Sequence, residues 1–335
     1  MKRLLIVLAV LFVAAVVVLS RPLAPAGLAA RPDPARDYAE AVARVHALQA
    51  EDGPEVDHAF ACGTQLLTHG HPTGRVVVFF HGLTNCPAQF DSMARLVHGQ
   101  GANVLVPRLP RHGLADRMTE ELARTDAGEL RACADRALDI AQGLGTHVTV
   151  IGLSVGGTMA AWAAQHRSDV DRAVIIAPVI EPPGGWPEPL ERAVTRLAAA
   201  LPNTFVWWDG ARRENLPGPR HVYPRFATRA VAASLLLGAD VRTEAEAKRK
   251  PPGCRTSAFV MIEGDRAVGS RAIHALAAAW RARGARVESY EFPDTVALNH
   301  DVIDPEQVGA DPGATYPPIL RLAGFATGPS APPRP

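Results

Sequence analysis

The sequence predicts an α/β fold: a mostly parallel central sheet with helices on both faces and a cap inserted over one edge. Three observations predict it. Short, continuous apolar runs rich in β-branched residues recur along the chain, as strands buried on both faces require. Segments of helical period stand between those runs, so successive strands need crossovers and run the same way. One long stretch, residues 181–253, breaks the alternation and carries several prolines and bulky aromatics.

Taken in order, Tyr38 to Gln49 reads as a short helix with Ala39, Val42, Val45 and Ala47 on its apolar side. His58 to Thr68 alternates weakly, and His69 to Gly74 reads as a turn. Arg75 to Phe80 is the first long buried strand, followed by strands at Ala102–Val106, Val148–Ile151, Ala173–Ile176, Ala258–Ile262 and Val287–Phe292. Between them, Phe90, Met93 and Val97 share a helical face that stops at Gly99 and Gly101, and Glu129 to Leu144 carries its apolar residues on one side. Ser270 is positioned to cap a helix in which Ile273, Leu276 and Trp280 share a face. Within residues 181–253 no strand is evident; Leu190–Leu201 and Phe226–Leu237 read as helices, and the whole reads as the cap.

Length and charge bound the rest. The 335 residues are 47% hydrophobic with net charge +1, enough for one large domain and without the basic excess that nucleic-acid binding needs. Lys2 and Arg3 precede an apolar run from Leu4 to Leu19, so residues 1–20 read as an export signal or a membrane anchor. Either would carry the catalytic part out of the cytoplasm, exported or tethered to the membrane. Residues 21–55 read as a proline- and alanine-rich tether with a short helix, residues 56–325 as the catalytic domain, and residues 326–335 as a flexible tail. The four cysteines, Cys62, Cys86, Cys133 and Cys254, lack metal-ligand spacing. They read either as two disulfides, in one of three pairings, or as buried thiols.

The chemistry gathers where the third of the buried strands ends. Gly152-Leu153-Ser154-Val155-Gly156-Gly157 joins it to a small-residue helix from Thr158 to His166. A serine on so tight a turn projects its hydroxyl clear of the backbone, and small neighbours let the turn close. Serine is a weak nucleophile at neutral pH and needs a base, which in turn needs an orienting acid. Asp265 follows the Ala258–Ile262 strand and is the candidate acid, with Glu263 in reserve. His300, alone among the 12 histidines in lying beyond the last strand, is the candidate base. An oxyanion hole needs two preset N–H donors: Val155, opening the helix, and Leu83 in His81-Gly82-Leu83-Thr84, where Gly82 would permit the turn. His81 reads as a brace for that loop, and Arg108, Arg111 and His112 as residues that hold the next one. The cap aromatics read either as the lining of an acyl pocket or as the cap's own small core.

From Arg75 to Asp304 the chain resembles the α/β-hydrolases of the carboxylesterase and monoacylglycerol-lipase-like group. His81-Gly82-Leu83, Gly152 to Gly156, Asp265 to Val268, His300 and, more loosely, Pro107 to Gly113 carry the resemblance. The order serine, acid, histidine is that of the family. The resemblance implies the α/β-hydrolase fold and a serine esterase or lipase that needs no metal or organic cofactor and takes a small acyl ester. The cap and the membrane-directed N-terminus depart from the family pattern, which leaves acyl length and head group open. Two other readings remain: an amidase or aminopeptidase on the same three residues, and a catalytically silent hydrolase fold that binds partners in the cell envelope.

Overall fold

The computed structural model describes residues 27–184, 186–247, 251–296 and 298–327. The expected signal or anchor at residues 1–20, and most of the expected tail, lie outside the described residues. Among those described, no helix is long and apolar enough to cross a membrane.

Seven strands form one sheet: β1 (Gln65–Leu67), β2 (Thr73–Phe80), β3 (Asn103–Val106), β4 (Gly145–Leu153), β5 (Arg172–Ile176), β8 (Thr256–Ile262) and β9 (Arg286–Phe292). Their order across the sheet is β1-β3-β2-β4-β5-β8-β9, with β1 antiparallel and every other pair parallel. All six long strands expected from the apolar runs are present. Val76 to Phe80 and Val148 to Leu153 are buried throughout, which is why they read as uninterrupted apolar runs and not as alternating ones.

Among the described residues eight α-helices accompany the sheet, and the six from α2 to α7 lie between strands. The eight are α1 (Tyr38–Glu51), α2 (Asp91–Gly99), α3 (Ala127–Leu144), α4 (Val155–His166), α5 (Glu188–Ala200), α6 (Thr228–Glu246), α7 (Ser270–Arg281) and α8 (Pro312–Leu322). Helices α3, α4, α6 and α7 pack side by side, while α2 and α8 face each other across a groove. Asp126 caps α3 by accepting from the Glu129 N–H at 2.8 Å. Helix α7 begins differently from expectation. Gly269 takes the cap position, Ser270 is the first helical residue, and no side chain caps the end. Helix α1 buries Ala41 and Val45 and leaves Ala39 and Ala47 exposed, so its inner face is rotated from the one the sequence suggested.

Two regions depart from their expected character. The described part of the proposed tether, residues 27–37, is seated on the body. Leu28 and Ala35 are buried, the Trp162 indole N–H donates to the Leu28 carbonyl at 2.7 Å, and Ala35 N–H donates to Asp139 O at 2.9 Å. At Gly143 a Cβ would run into Asp37 O, so α3 accepts this segment only where it has no side chain. In the cap stretch, β6 (Phe205–Trp207) and β7 (Arg225–Ala227) form a small antiparallel ribbon that the sequence did not announce. Its last helix belongs to the body: Ala233, Leu237, Val241 and Ala245 of α6 join the main core. The cap expected at 181–253 therefore ends, structurally, near residue 227.

Cys62 and Cys86 form a disulfide, while Cys133 and Cys254 are buried thiols. The cysteines thus divide between the two readings. Burial in apolar surroundings pushes both thiols up to about 11, which keeps them protonated and unreactive at neutral pH.

Candidate active site

Because β2, β4, β5, β8 and β9 run parallel, their carboxyl ends share one rim, where α/β sheets present reactive groups. The candidate site is built from turns that leave that rim.

The first turn follows β4. Ser154 holds φ +60° and ψ −117°, a region non-glycine residues seldom enter. Gly152 and Gly156 make the turn passable: a Cβ at Gly152 would overlap the Gly156 carbonyl, and one at Gly156 would overlap the Phe80 carbonyl of the neighbouring strand. The Ser154 N–H donates to Ile176 O at 2.9 Å and its carbonyl accepts from Thr158 N–H at 2.9 Å. The backbone is thereby pinned to β5 and α4. The hydroxyl makes no capping bond to the helix it precedes, so it is left available. Val155, the first residue of α4, has an N–H with no acceptor one turn back.

The second and third turns follow β8 and β9. Asp265 and His300 meet, with Nδ1 and Oδ2 separated by 2.6 Å. An ionised carboxylate can only accept, so Nδ1 carries the proton and Nε2 presents its lone pair. That Nε2 is buried and has no hydrogen-bond partner among the described residues. Glu263, the reserve acid, is turned elsewhere and accepts from the Asp294 N–H at 3.1 Å.

A single loop joins these parts. His300 is tied to Asp265, beyond β8, while the adjacent Asp301 accepts from the side-chain amides of Asn85 (3.3 Å) and Gln89 (2.7 Å), beyond β2. In the sheet, β4 and β5 lie between β2 and β8. The His300–Asp301 dipeptide therefore crosses over the end of β4, where Ser154 stands. The structure brings Asp265 and His300 into contact; it does not draw a hydrogen bond from the Ser154 hydroxyl to His300. Such bonds are commonly long in empty active sites and tighten when substrate binds.

The fourth turn follows β2 and contains Leu83. Gly82, expected to permit this turn, is not where the chain bends. Gly82 does not have a positive φ, and a Cβ there would meet only ordinary contacts no nearer than 3.6 Å. The strained residue is Thr84, at φ +64°. Three bonds hold it: its hydroxyl donates to Leu83 O (2.6 Å) and accepts from the Trp208 indole N–H (3.0 Å), and its carbonyl accepts from Tyr223 N–H (2.8 Å). No hydrogen bond among the described residues uses the Leu83 N–H.

His81 is the brace the sequence suggested. Its Nε2 accepts from Leu109 N–H at 3.1 Å, so Nδ1 must be the protonated nitrogen that donates to Gly82 O at 3.0 Å. Burial drives its pKa well below the usual histidine range, with help from the neighbouring His112. His112 stands edge-on at 5.2 Å between ring centroids and is pushed down to about 4, again mainly by burial. Arg108 pairs with Asp52 at 2.5 Å and donates to His112 O at 3.0 Å, and Arg111 pairs with Glu129 and Glu121. All four hold loops together.

The cap aromatics mostly contact the cap itself. Trp208 packs on Phe226 at 4.6 Å, and the Arg225 guanidinium lies 4.1 Å from the ring centre of Phe205 and 6.0 Å from that of Trp207. Tyr223 is buried with Leu122, Ala227 and Ala230, and its hydroxyl accepts from Leu114 N–H at 2.7 Å. Sequence reasoning missed Asn85, Gln89 and Asp301, and also the buried His221–Asp304 pair, 2.9 Å apart, that ties the cap to the histidine loop. Nothing in the sequence marks Gln89, and Asp301 is marked only by its adjacency to His300.

Comparison with known proteins agrees with this fold. The model of the alpha/beta hydrolase family matches residues 77–308.

The chain belongs to the alpha/beta hydrolase family.

Among solved structures, it is similar to a soluble variant of monoglyceride lipase from Saccharomyces cerevisiae. Identity is 15%, the TM-score is 0.57, and 79% of this chain and 92% of that one are covered. It is likewise similar to the monoacylglycerol lipase of Paleococcus ferrophilus, with 16% identity, TM-score 0.56, and coverage of 78% and 98%. A metagenome-derived lipolytic enzyme of the LipS and LipT study gives 15% identity, TM-score 0.56, and coverage of 79% and 98%. At such identities these likenesses speak for the hydrolase fold. A search of curated protein sequences finds no match.

Proposed function

We propose that this hydrolase cleaves carboxylic esters through Ser154, His300 and Asp265 and a covalent acyl-enzyme. One observation carries the reading. A histidine bound to a carboxylate through Nδ1, with Nε2 buried and without a partner among the described residues, lies on the loop that crosses the strained Ser154 turn. The lipase and esterase character of the structural neighbours supports an ester as substrate.

In this reaction His300 Nε2 takes the Ser154 hydroxyl proton as the oxygen attacks the acyl carbon. The carbonyl oxygen becomes an anion and is met by the N–H groups of Leu83 and Val155, whose preset dipoles need no reorganisation. Asp265 fixes the tautomer of His300 and stabilises the imidazolium. Collapse of the tetrahedral species breaks the ester C–O bond, and the alcohol leaves with the proton from His300. Water, deprotonated by the same nitrogen, then releases the acid and restores Ser154. The chain's own residues supply each of these steps.

Replacing Ser154 with Ala should abolish hydrolysis of a short-chain aryl ester and labelling by a fluorophosphonate while the protein stays folded. Turnover or labelling that persists in Ser154→Ala would remove Ser154 from the mechanism. We further propose an exported or membrane-tethered location. The apolar run at residues 4–19 and the Cys62–Cys86 disulfide support it, since disulfides persist in oxidising compartments. Fractionation of cells making the full chain tests this, and recovery of the protein in the cytosol with Cys62 and Cys86 reduced would refute it.

A further inference from the structure

Asp301 accepts five hydrogen bonds. On Oδ2 it takes the side-chain amides of Asn85 (3.3 Å), Gln89 (2.7 Å) and Gln307 (3.2 Å). On Oδ1 it takes the backbone N–H groups of Ile303 and Asp304, both at 3.1 Å. The two backbone bonds shape its own loop. The bonds from Asn85 and Gln89 reach across to the turn after β2, and ending a loop does not require them.

The Gln89 side chain continues the connection. Its Nε2 donates to Asp301 while its Oε1 accepts from Gly82 N–H at 2.8 Å. A primary amide is planar, so fixing one end fixes the other. Beyond Gly82 N–H comes the peptide unit that contains the Leu83 N–H. The carbonyl of that unit accepts from His81 Nδ1–H at 3.0 Å and Asn85 N–H at 3.3 Å. In a trans peptide the C=O and N–H point opposite ways, and this chain has no cis bond among its described residues. Holding the Gly82 carbonyl therefore aims the Leu83 N–H. Asn85 takes part twice, through its backbone on Gly82 O and its side chain on Asp301.

We infer that Asp301 is a positioning residue: through Gln89 and Asn85 it locks the loop that carries His300 to the peptide that presents the Leu83 N–H, so that base and oxyanion donor are set as one unit. The inference rests on the ester-hydrolase reading above. It gives the residue after the histidine a role separate from that of Asp265. Asp265 orients the imidazole, and Asp301 orients the oxyanion hole relative to it.

Two variants test it in the full-length protein. In Asp301→Asn either rotamer turns an NH2 toward N–H donors, so at least one set of bonds is lost. Gln89→Met keeps the length of the side chain, removes both amide bonds and leaves the buried charge pattern unchanged. Each should lower kcat for a short-chain aryl ester about 10- to 100-fold, the effect of misplacing a reacting group by roughly 1 Å, with KM changed less than about twofold. The inhibition constant of a trifluoromethyl ketone, whose hemiketal oxyanion occupies the same hole, should rise by the same factor as kcat/KM falls. The double variant should be no worse than the poorer single one, because both act through one chain of bonds. Thermal unfolding confirms that the assayed protein is folded, and Gln89→Met keeps the test open if Asp301→Asn does not fold. A folded Gln89→Met enzyme with unchanged kcat and unchanged ketone affinity would overturn the inference alone, as would multiplicative losses in the double variant. A wild-type protein inert toward both ester and fluorophosphonate would overturn the hydrolase reading and this inference with it.

Discussion

His81 and His300 stand at the same rim of the sheet, and the partners of their nitrogens set them apart. His81 is fully buried and uses both nitrogens on backbone groups, Leu109 N–H and Gly82 O, so it has no position left for a proton in transit. His300 uses Nδ1 on a carboxylate and leaves Nε2 without a partner among the described residues. The first arrangement is satisfied only by a neutral ring, and burial enforces it. The second stabilises the charged ring when it forms and keeps the basic nitrogen open. One residue type is thus suited to bracing or to the base role proposed for His300 according to whether the backbone or a carboxylate answers it.

Four outcomes would sharpen or break that contrast. The largest effect is expected from His300→Ala, which should lower kcat for an aryl ester by about 10⁵- to 10⁶-fold at unchanged stability, because members of such a triad act as a unit. Burst-titrated turnover measures it, and a loss under tenfold would strip His300 of its role. Next, Asp265→Asn should cost about 10⁴-fold, since an amide at that position permits the wrong tautomer. A profile of kcat against pH that matches the wild type in height would contradict this.

His81→Leu probes the other side of the comparison. It strands Leu109 N–H in the interior, at about 1–3 kcal/mol, and leaves Gly82 O with Asn85 N–H as its remaining donor, at about 0.5–1.5 kcal/mol, so urea unfolding should show a loss of about 2–4 kcal/mol. Its kcat should fall by less than about 100-fold, because the residue orients a peptide and moves no proton. If His81→Leu were as inactive as His300→Ala yet fully stable, the distinction between brace and base would collapse.

The smallest effect concerns acid. Below about pH 6.5 an unfolded chain protonates His112, whereas the folded protein resists until about pH 4. The depressed value means that stability is fully present above 6.5 and is lost as pH falls toward 4, by about 3 kcal/mol from His112. His81 acts in the same direction. The midpoint of thermal unfolding should therefore drop across that window, and less steeply in His112→Gln. An identical pH slope in the variant would show that other groups dominate acid lability.

Much of this was legible without coordinates. Buried parallel strands announce themselves as continuous apolar runs, and Val76 to Phe80 and Val148 to Ile151 were found on that pattern alone. Ser154 was found because only a tight turn needs glycine at both 152 and 156, and the overlaps expected at those positions bear this out. Helix α8 was hidden by Pro312, Pro317 and Pro318, which ordinarily argue against a helix and here sit within one. The ribbon of β6 and β7 was missed because three-residue strands carry no readable period. A glycine in a turn signals freedom, not its use, and the chain bends at Thr84 and not at Gly82.

By itself the sequence determined the α/β alternation, the six long strands and the candidate serine, aspartate and histidine, because each of these is a local property of residue type and spacing. Only the tertiary structure decided which cysteines pair, that α6 belongs to the body, that His81 spends both nitrogens on backbone groups while His300 spends Nδ1 on a carboxylate, and that Asp301 reaches Gln89 across 212 positions of chain. Those outcomes depend on what each polar atom meets once water is excluded, and that is fixed by packing between distant segments.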